Sequence, residues 1–391
     1  MFYRTKHFID LFVVQPTTFC NINCSYCYLP DRDKKKNLTP EILSLSLGHL
    51  KADKLIGPEF TLVWHAGEPL ATGLKRFREL VEIVEEFSLR EKVRIKHSIQ
   101  TNGVLINQEW CDLFKKYDIR IGISIDGPKF LHDANRLTRT GRGTFDLVIK
   151  GIGYLKKNDI PYHAIAVVTK RSLDFPKEIF SFFSENGFYN LGLNIEEIEG
   201  INSTTSLAED PELDKKFSLF WQSIYDLYKD SDQKMRIREF DQILKAIFQH
   251  PGVKDIKKLA PHSHQIHPFA ILTMDTDGNF STFSPELLGQ ECDAFNNFVF
   301  GNVREQGFLT AAKQAVFKTV QKDIEQGVNK CRDTCKYFYL CGGGAPSNKF
   351  YENGTFDSTT TLYCRYTVKG PIDVVLKSLE LQAGTNQIAS T

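Results

Sequence analysis

The sequence predicts an α/β protein built around a parallel sheet. From residue 8 to about residue 200 of the 391-residue chain, six short apolar runs alternate with longer segments of helical period, a pattern typical of parallel sheets. The predicted strands are Phe8–Val14, Phe60–Trp64, Val93–Ile99, Ile119–Ile125, Tyr162–Val168 and Asn190–Ile195. The predicted helices between them are Pro40–His49, Leu74–Phe87, Asn107–Tyr117, Phe145–Lys157 and Phe175–Asn186. This alternation fits an open doubly wound sheet and a barrel equally well.

The second half of the chain follows a different pattern. Helical periods recur near Asp210–Lys229 and Ile237–Gln249, and a turn-rich, cysteine-bearing region follows from about Phe269 to Tyr366. We expect a core domain over 1–205, a helical bridge over 206–264, a smaller cysteine-bearing domain over 265–370, and a C-terminal helix and tail over 371–391.

Composition limits the kinds of partner. The formal net charge is +1, with 25% charged and 41% hydrophobic residues, so nothing favours nucleic-acid binding. No apolar run reaches the length of a membrane span, and Met1–Asp10 lacks the layout of a signal peptide. We therefore expect a cytoplasmic protein without a membrane partner, whose nine cysteines are metal ligands or buried thiols rather than disulfides.

Polar and glycine-rich segments follow four successive strands of the predicted sheet. A cysteine-bearing loop follows the first strand, and His65–Pro69, Gln100–Gly103 and Asp126–Pro128 follow the next three. Because ligands collect at the carboxyl ends of parallel strands, we expect these segments to share one site.

The cysteine loop offers three thiolates within eight residues. The spacing Cys20-x3-Cys24-x2-Cys27 suits an iron-sulfur cluster with one iron left open. A structural zinc ion needs four ligands, and no nearby His or Cys completes a tetrahedron. Three buried thiols are an unlikely alternative in so polar a loop.

These motifs resemble those of the radical S-adenosylmethionine superfamily. The CxxxCxxC spacing is followed by an aromatic residue, Tyr28, and Trp64–Pro69 resembles the GGEP motif of that family, with Ala66 in place of its first glycine. Gln100–Gly103 and Gly122–Gly127 resemble the next two motifs. The resemblance implies a partial (β/α)6 TIM-like barrel and a [4Fe-4S] cluster whose open iron binds S-adenosylmethionine. We expect the alanine to leave the backbone path of the turn intact.

The resemblance also implies which residues contact S-adenosylmethionine. Gly67 would meet its amino group, and Tyr28 would lie beside the adenine through its backbone. Arg136 suits a carboxylate because its guanidinium is planar and cationic, although an ordinary surface salt bridge is the alternative. The full set of expected contacts is Tyr28, Gly67, Glu68, Asn102, Ser124, Asp126, Arg136 and Leu193.

A second cysteine set lies near the end of the chain. Its spacing is Cys331-x3-Cys335-x5-Cys341-x22-Cys364, and four thiolates suit zinc as well as an iron-sulfur cluster. Cys341-Gly-Gly-Gly and the trailing Cys364 resemble the SPASM domain of radical peptide-modifying enzymes, which implies iron. Ala345 stands where that domain carries a further cysteine, so we expect one auxiliary [4Fe-4S] cluster. Cys292 is a possible stray ligand, whereas Cys111 lies on a helical face and is expected in the core.

The segments 280–289 and 341–349 resemble maturases of glycine-rich-repeat and cyclophane-type ribosomal peptides. This implies cleavage of S-adenosylmethionine to a 5'-deoxyadenosyl radical, removal of a Cβ hydrogen from a precursor peptide, and an intrapeptide carbon–carbon crosslink. It also implies a flavodoxin- or ferredoxin-type reductant. The oxidation needs a proton acceptor, for which the candidate residues are Glu196, Glu197 and Glu286, with Glu199, Asp275 and Asp277 as further carboxylates.

Several alternatives remain open at this point. An anaerobic sulfatase maturase, which forms formylglycine, shares Ser124, Asp126 and Arg136 but normally keeps two auxiliary clusters. A thioether-forming or epimerising peptide maturase is also compatible with the motifs. An iron-sulfur electron carrier or a zinc-stabilised binding protein would leave the Gly-Glu-Pro turn and the other strand-end motifs unexplained.

Overall fold

A ten-stranded sheet forms the centre of the protein. The computed structural model describes residues 8–208, 210–232, 234–248 and 263–388. Its strands are β1 Leu11–Val14, β2 Ile22–Cys24, β3 Glu59–Trp64, β4 Arg94–Thr101, β5 Arg120–Ser124, β6 Arg136–Thr138, β7 Tyr162–Val168, β8 Asn190–Ile195, β9 Arg236–Ile237, β10 Ile271–Met274, β11 Asn279–Thr282 and β12 Gly301–Asn302. The order across the large sheet is β12-β11-β10-β1-β3-β4-β5-β7-β8-β9, and β2 pairs with β6 in a separate ribbon.

The six strands that the sequence predicts lie side by side in chain order. Every neighbouring pair from β1 through β3, β4, β5 and β7 to β8 is parallel. A doubly wound sheet would reverse its order at a switch point, whereas a barrel keeps neighbours in sequence. The arrangement is therefore the predicted partial (β/α)6 TIM-like barrel.

Three further strands extend the sheet beyond β1. β10 pairs with β1 in parallel, with Leu11 opposite Ile271, and β11 and β12 continue antiparallel. The sequence analysis treated this region as turn-rich, because four-residue strands between turns are too short to show a period. The domain boundary expected at residue 265 thus falls just before three strands of the main sheet, and the division into domains stays a prediction.

Helices cover the outside of the sheet. They are α1 Pro40–Ala52, α2 Leu74–Glu91, α3 Gln108–Lys116, α4 Lys129–Asn135, α5 Phe145–Lys157, α6 Pro176–Glu185, α7 Leu213–Asp230, α8 Arg238–Phe248, α9 Ala315–Thr334, α10 Phe338–Cys341, α11 Pro346–Asn353 and α12 Gly370–Ile388. The buried residues of α2 recur every three or four positions, at Phe77, Leu80, Val81, Val84 and Phe87, as an amphipathic helix requires.

The 20-residue α9 lies in the region that was expected from the sequence to be turn-rich. Among the described helices, none combines the length and apolar character needed to cross a bilayer.

Helix α7 fixes the segment that carries Cys364. The indole nitrogen of Trp221 donates a hydrogen bond of 2.6 Å to the carbonyl oxygen of Tyr366, and the rings of Phe217 and Tyr366 stack with their centroids 4.3 Å apart. Residues 364–369 form one π-helical turn before α12. The last cysteine of the second set is therefore positioned by contacts to the barrel-side helix.

The turn after β3 packs tightly against the cysteine loop. Ala66 and Gly67 both have positive φ, at 69° and 65°, and the backbone nitrogen of Glu68 donates to the carbonyl oxygen of Phe19 at 2.8 Å. The backbone follows this path with alanine at position 66, although an L-residue in the left-handed region costs about 1 kcal/mol.

Replacing Gly67 by alanine should destabilise the fold by about 3 kcal/mol, because the added Cβ combines backbone strain with overpacking. An ideal Cβ at Gly67 would lie 2.3 Å from the carbonyl oxygen of Thr17. Gly141 is the matched control, because its φ is also positive, at 81°, and a Cβ there meets nothing within 4 Å. Gly141→Ala should cost about 1 kcal/mol. Anaerobic denaturant unfolding of both variants measures the difference, and equal losses would contradict the tight packing.

Candidate functional site

The first cysteine set lies on a loop that is closed at its base. The backbone nitrogen of Thr18 donates to the carbonyl of Lys36 at 3.0 Å, and that of Cys20 donates to the carbonyl of Arg32 at 2.9 Å. The guanidinium of Arg139 also donates to the Cys20 carbonyl at 2.8 Å. These bonds hold the three cysteines together beside the carboxyl ends of the sheet strands.

Two side chains reach the cysteine sulfurs, one from the residue after β4 and one from the first residue of β6. The amide nitrogen of Asn102 lies 3.8 Å from Cys20 Sγ, and Arg136 Nη1 lies 3.8 Å from Cys24 Sγ. Burial raises the pKa of Cys20 to about 12 and that of Cys24 to about 11. Such thiols become thiolates when a metal binds, and N–H donors at the sulfurs stabilise that form. The loop therefore fits the three-cysteine [4Fe-4S] cluster that its spacing predicts.

The carboxylate of Glu68 is a buried acceptor between two strand ends. Its exposed fraction is 1%, and it accepts from the Leu70 and Asn102 backbone nitrogens at 3.0 and 2.8 Å and from the Thr101 hydroxyl at 2.6 Å. Burial raises the pKa of Glu68 to about 7, and the three donors act against that rise. Glu68 thus fixes Asn102, whose side chain also donates to Asn21 Oδ1 at 2.8 Å.

Asp126 and Arg136 form a buried ion pair. Arg136 Nε and Nη2 donate to the two Asp126 oxygens at 3.1 and 3.0 Å, and both side chains are less than 10% exposed. The same carboxylate accepts from the Tyr26 hydroxyl and, at 3.0 Å, from the backbone nitrogen of Val167. The pair anchors β6 against β5 and β7, and the remaining Arg136 nitrogen is the one beside Cys24. A contact from Arg136 to the S-adenosylmethionine carboxylate stays a prediction.

The other residues expected to contact the cofactor differ in their burial and in their surroundings. Ser124 accepts a hydrogen bond of 2.8 Å from Gln100 Nε2 on the adjacent strand, so both side chains face the inside of the barrel. Leu193 is fully buried in the hydrophobic core. Gly67 faces the carbonyls of the cysteine loop. The roles predicted for Ser124, Leu193 and Gly67 remain predictions.

Three of the candidate carboxylates meet at the mouth of the barrel. The Asn348 amide donates to Glu197 and lies 3.5 Å from Glu199 Oε1. Burial raises the pKa of Glu197 to about 7, and burial together with the charge of Glu197 raises that of Glu199 well above its usual range. Burial also raises the pKa of Glu286, whose Oε2 has no hydrogen-bond partner among the described residues.

Tyr28 lies beside this carboxylate cluster, which we define as Glu197, Glu199 and Glu286. Burial raises the pKa of Tyr28 well above its usual range, and the charges of Glu286, Glu199 and Cys27 raise it further. Tyr28 therefore lies within electrostatic reach of both the first cysteine set and the carboxylates.

Glu196, in contrast, turns away from the cluster. Its carboxylate accepts from the backbone nitrogen of Ser206 at 2.9 Å and from the Ser206 hydroxyl. This pairing gives Glu196 a structural partner in an exposed loop.

A cleft about 240 Å³ in volume opens beside the cysteine loop. It runs from the ends of β1 and β3 to the end of β10, and its lining residues include Gln15, Tyr28, His65 and Asp275. Burial lowers the pKa of His65 to about 4, so its imidazole is neutral at physiological pH. The sequence analysis did not assign His65 a role.

The second cysteine set lines one small cavity. Cys331, Cys335, Cys341 and Cys364 all face it, and burial raises the pKa of Cys341, and that of Cys364 to about 11. The four thiols share this cavity, although among the described residues no group of three or more metal-ligating side chains is arranged to hold a single metal ion. We call these four cysteines the cysteine quartet.

The two remaining cysteines lie elsewhere. Cys111 is fully buried on α3, as its helical position predicted. Cys292 is half-buried and packs against the hydrophobic core, and it does not line the quartet cavity.

Sequence reasoning missed three side chains of these sites. Asn348 and Lys349 touch the carboxylate cluster and the quartet respectively, and Tyr26 binds Asp126. Asn348 and Lys349 lie within the segment 341–349 that carries the family resemblance, and Tyr26 lies between two cysteines of the first set. Their location near ligands was the available signal, although the partner of Tyr26 lies 100 positions away, that of Asn348 151 positions away and that of Lys349 18 positions away.

Sequence comparison identifies relatives over nearly the whole chain. The signature of the Radical SAM superfamily matches residues 14–183. An uncharacterised protein of Synechocystis sp. is 44% identical over 378 residues, covering 96% of this chain and 93% of that protein. A serine-type anaerobic sulfatase-maturating enzyme of Bacteroides thetaiotaomicron is 26% identical over 371 residues, covering 88% of this chain and 84% of that enzyme.

Solved structures share the same fold. The anSMEcpe structure with bound AdoMet and Cp18Cys peptide has a TM-score of 0.74 at 22% identity, covering 96% of this chain and 99% of that one. Streptococcus suis SuiB bound to precursor peptide SuiA has a TM-score of 0.63 at 16% identity, covering 91% of this chain and 76% of SuiB. The likeness confirms the fold class.

Replacing Arg136 by methionine should destabilise the protein by about 3 kcal/mol or more without S-adenosylmethionine present, because it leaves the Asp126 carboxylate buried without its cation. Arg139→Met is the control, since Arg139 is exposed and donates to backbone carbonyls; its loss should cost about 1 kcal/mol. Anaerobic denaturant unfolding measures both. An Arg136→Met protein of unchanged stability that fails to bind S-adenosylmethionine would show a cofactor contact instead of an anchor.

Proposed function

We propose that this chain, which belongs to the radical S-adenosylmethionine superfamily, is a peptide maturase that forms an intrapeptide carbon–carbon crosslink. Cys20, Cys24 and Cys27 would hold the [4Fe-4S] cluster that binds S-adenosylmethionine. When bound, this cofactor pair supplies the 5'-deoxyadenosyl radical that removes a hydrogen atom from a substrate carbon. The residues of the chain exclude water, hold the peptide and take up the proton that the second hydrogen leaves.

The observation that carries the proposal is the position of the carboxylate cluster between the two cysteine sets. A crosslink removes two hydrogens from the peptide: one leaves as an atom, the other as a proton and an electron. The proton needs a base near the radical carbon, and the electron needs an acceptor. Tyr28, which follows Cys27 in the chain, lies within electrostatic reach of Glu286 and Glu199. Asn348 lies 3.5 Å from Glu199 Oε1, and the next residue, Lys349, has its Nζ 3.6 Å from Cys331 Sγ.

Glu286 is the carboxylate best suited to accept the proton. Its Oε2 is buried and has no hydrogen-bond partner within the described ranges, whereas Glu197 accepts from Asn348 and Glu196 accepts from Ser206. Burial raises the pKa of Glu286 and so brings the group nearer to neutral pH, where a general base is most effective. The cysteine quartet would hold one auxiliary [4Fe-4S] cluster, whose chemistry when bound is electron acceptance.

A peptide substrate is supported by two further observations. The structures of anSMEcpe and SuiB contain a Cp18Cys peptide and the precursor peptide SuiA respectively. In this chain the cleft beside Tyr28 and His65 opens to solvent next to the carboxylate cluster. Pro285, the residue before Glu286, lines this cleft, so a peptide bound there would approach the carboxylate cluster.

Formylglycine formation is the second candidate, favoured by the identity shared with the sulfatase-maturating enzyme over most of both chains. The crosslink is preferred because the chain has one complete cysteine quartet, with Ala345 where a SPASM domain carries another cysteine. Among the described residues, neither Cys111 nor Cys292 lines the quartet cavity.

The direct test is a reaction with two peptide substrates. The anaerobically reconstituted enzyme is incubated with S-adenosylmethionine, a reductant and either the small peptide encoded beside the gene or a sulfatase-derived peptide. We expect the first peptide to lose two hydrogens, with 5'-deoxyadenosine released, and tandem mass spectra to show two linked residues. A hydrazine-reactive aldehyde in the sulfatase peptide would instead establish formylglycine formation. An unmodified mass with released 5'-deoxyadenosine would contradict both.

Replacing Glu286 by glutamine should separate radical formation from product formation. We expect 5'-deoxyadenosine release to continue while crosslinked peptide falls about a hundredfold, because general-base catalysis contributes on that order. Glu196→Gln is the matched control, since that carboxylate caps Ser206, and should keep the normal product yield. Product formed by the Glu286→Gln enzyme at the normal rate would exclude Glu286 as the base.

A further inference from the structure

Lys349 is a buried cation that points at the cysteine quartet. Its exposed fraction is 3%, and lysine is rarely buried to this extent without a charged partner. Its Nζ lies 3.6 Å from Cys331 Sγ. In the described part of the chain no carboxylate forms an ion pair with Lys349. The partner of the ammonium group is therefore the cysteine sulfur.

The surrounding backbone makes room for this ammonium group. Lys349 lies on α11, and α9 passes it at Gly327, where an added Cβ would lie 3.2 Å from Lys349 Nζ and 2.2 Å from the Phe356 carbonyl oxygen. A larger residue at position 327 would push against both groups. Lys349 also lines the quartet cavity together with the four cysteines, so its charge faces the space that a metal centre would fill.

A charge in this position acts strongly on a redox centre. Water is excluded from the ammonium group, so its field is weakly screened. A metal centre becomes more negative when it is reduced, and a nearby cation stabilises that form. Reduction potentials of iron-sulfur centres depend on charge, on hydrogen bonds to the sulfurs and on solvent exposure, and Lys349 contributes to all three at Cys331.

We propose that Lys349 raises the reduction potential of the centre held by Cys331, Cys335, Cys341 and Cys364, and so makes it an effective acceptor for the electron that leaves the substrate. Lys349 is a positioning residue that acts through Cys331. The inference rests on the proposed function, because that function assigns an iron-sulfur cluster to the quartet.

The first cysteine set must be removed so that the quartet alone is observed. In the full-length Cys20→Ala/Cys24→Ala/Cys27→Ala protein, reconstituted iron is counted, and the EPR signal of the reduced centre is recorded at a series of fixed potentials. Lys349→Met and Lys349→Gln are then made in this background. The glutamine keeps an N–H donor and loses the charge, and Lys349→Arg keeps both.

We expect both neutral variants to be reduced less readily. At the midpoint potential of the parent, their ratio of reduced to oxidised centre should fall at least tenfold, which corresponds to about 59 mV for a one-electron couple. Lys349→Arg should stay close to the parent. Lys369→Met is the matched control, because Lys369 lies beside Cys335 and Cys364 in an exposed setting, where its amine also lies 3.4 Å from Thr360 Oγ1. Its removal should change the ratio much less.

The possible results distinguish a wrong role for Lys349 from a wrong assignment of the auxiliary cluster. A parent protein that binds zinc or no metal at the quartet overturns the auxiliary cluster, and the inference with it. An iron-loaded quartet with the same midpoint in parent and neutral variants overturns the inference alone. Loss of iron from both neutral variants also overturns it, because Lys349 would then serve assembly of the centre and not its potential.

Discussion

The carboxylate of Glu68 is the interaction on which the site depends. Three donors from two strand ends converge on it, and its own backbone nitrogen binds the cysteine loop at Phe19. Because the group is buried, loss of a donor would leave an uncompensated polar atom. The donors orient Asn102, which in turn reaches Cys20. One buried acid thus connects the Gly-Glu-Pro turn to the geometry of the first cysteine set.

The cations beside the cysteine sulfurs differ between the two sets. At the first set, Arg136 lies beside Cys24 and is paired with Asp126, and the opposite charges of these two residues shift the pKa of Cys24 in opposite directions. At the quartet, Lys349 faces Cys331 without a carboxylate partner in the described residues. A centre that delivers an electron to a bound cofactor needs a low reduction potential. A centre that accepts an electron needs a higher one. The two arrangements of charge are consistent with that division of work.

Helix α11 links the carboxylate cluster to the cysteine quartet through two consecutive residues. Asn348 holds Glu197 and approaches Glu199, while Lys349 contacts Cys331. Residues adjacent in a helix point in different directions, so one short helix can serve both sites. Tyr28, which follows Cys27 in the chain, lies within electrostatic reach of Glu286.

The sequence predicted the parallel strands and the first cysteine set because their signals are local, whereas the barrel followed from the resemblance of the strand-end motifs. Alternating strand and helix periods identify the six parallel strands, and the ligand loop lies within eight residues. Other features depend on residues far apart in the chain. β10 is recognisable only beside β1, across about 260 positions, and Asn348 meets Glu197 across 151 positions. The ion pair of Asp126 and Arg136 is local, yet it also contacts Tyr26 in the turn after β2 and Val167 on β7.

The central claim is that the two cysteine sets hold iron-sulfur centres of different kinds, one open to S-adenosylmethionine and one closed. Mössbauer and EPR spectra of two reconstituted proteins test this directly: one lacks Cys20, Cys24 and Cys27, and the other lacks the quartet cysteines. Both proteins should hold iron, and S-adenosylmethionine should change the spectrum only of the protein that lacks the quartet. A spectral change in the protein that lacks the first set, or an absence of iron from it, would contradict the account.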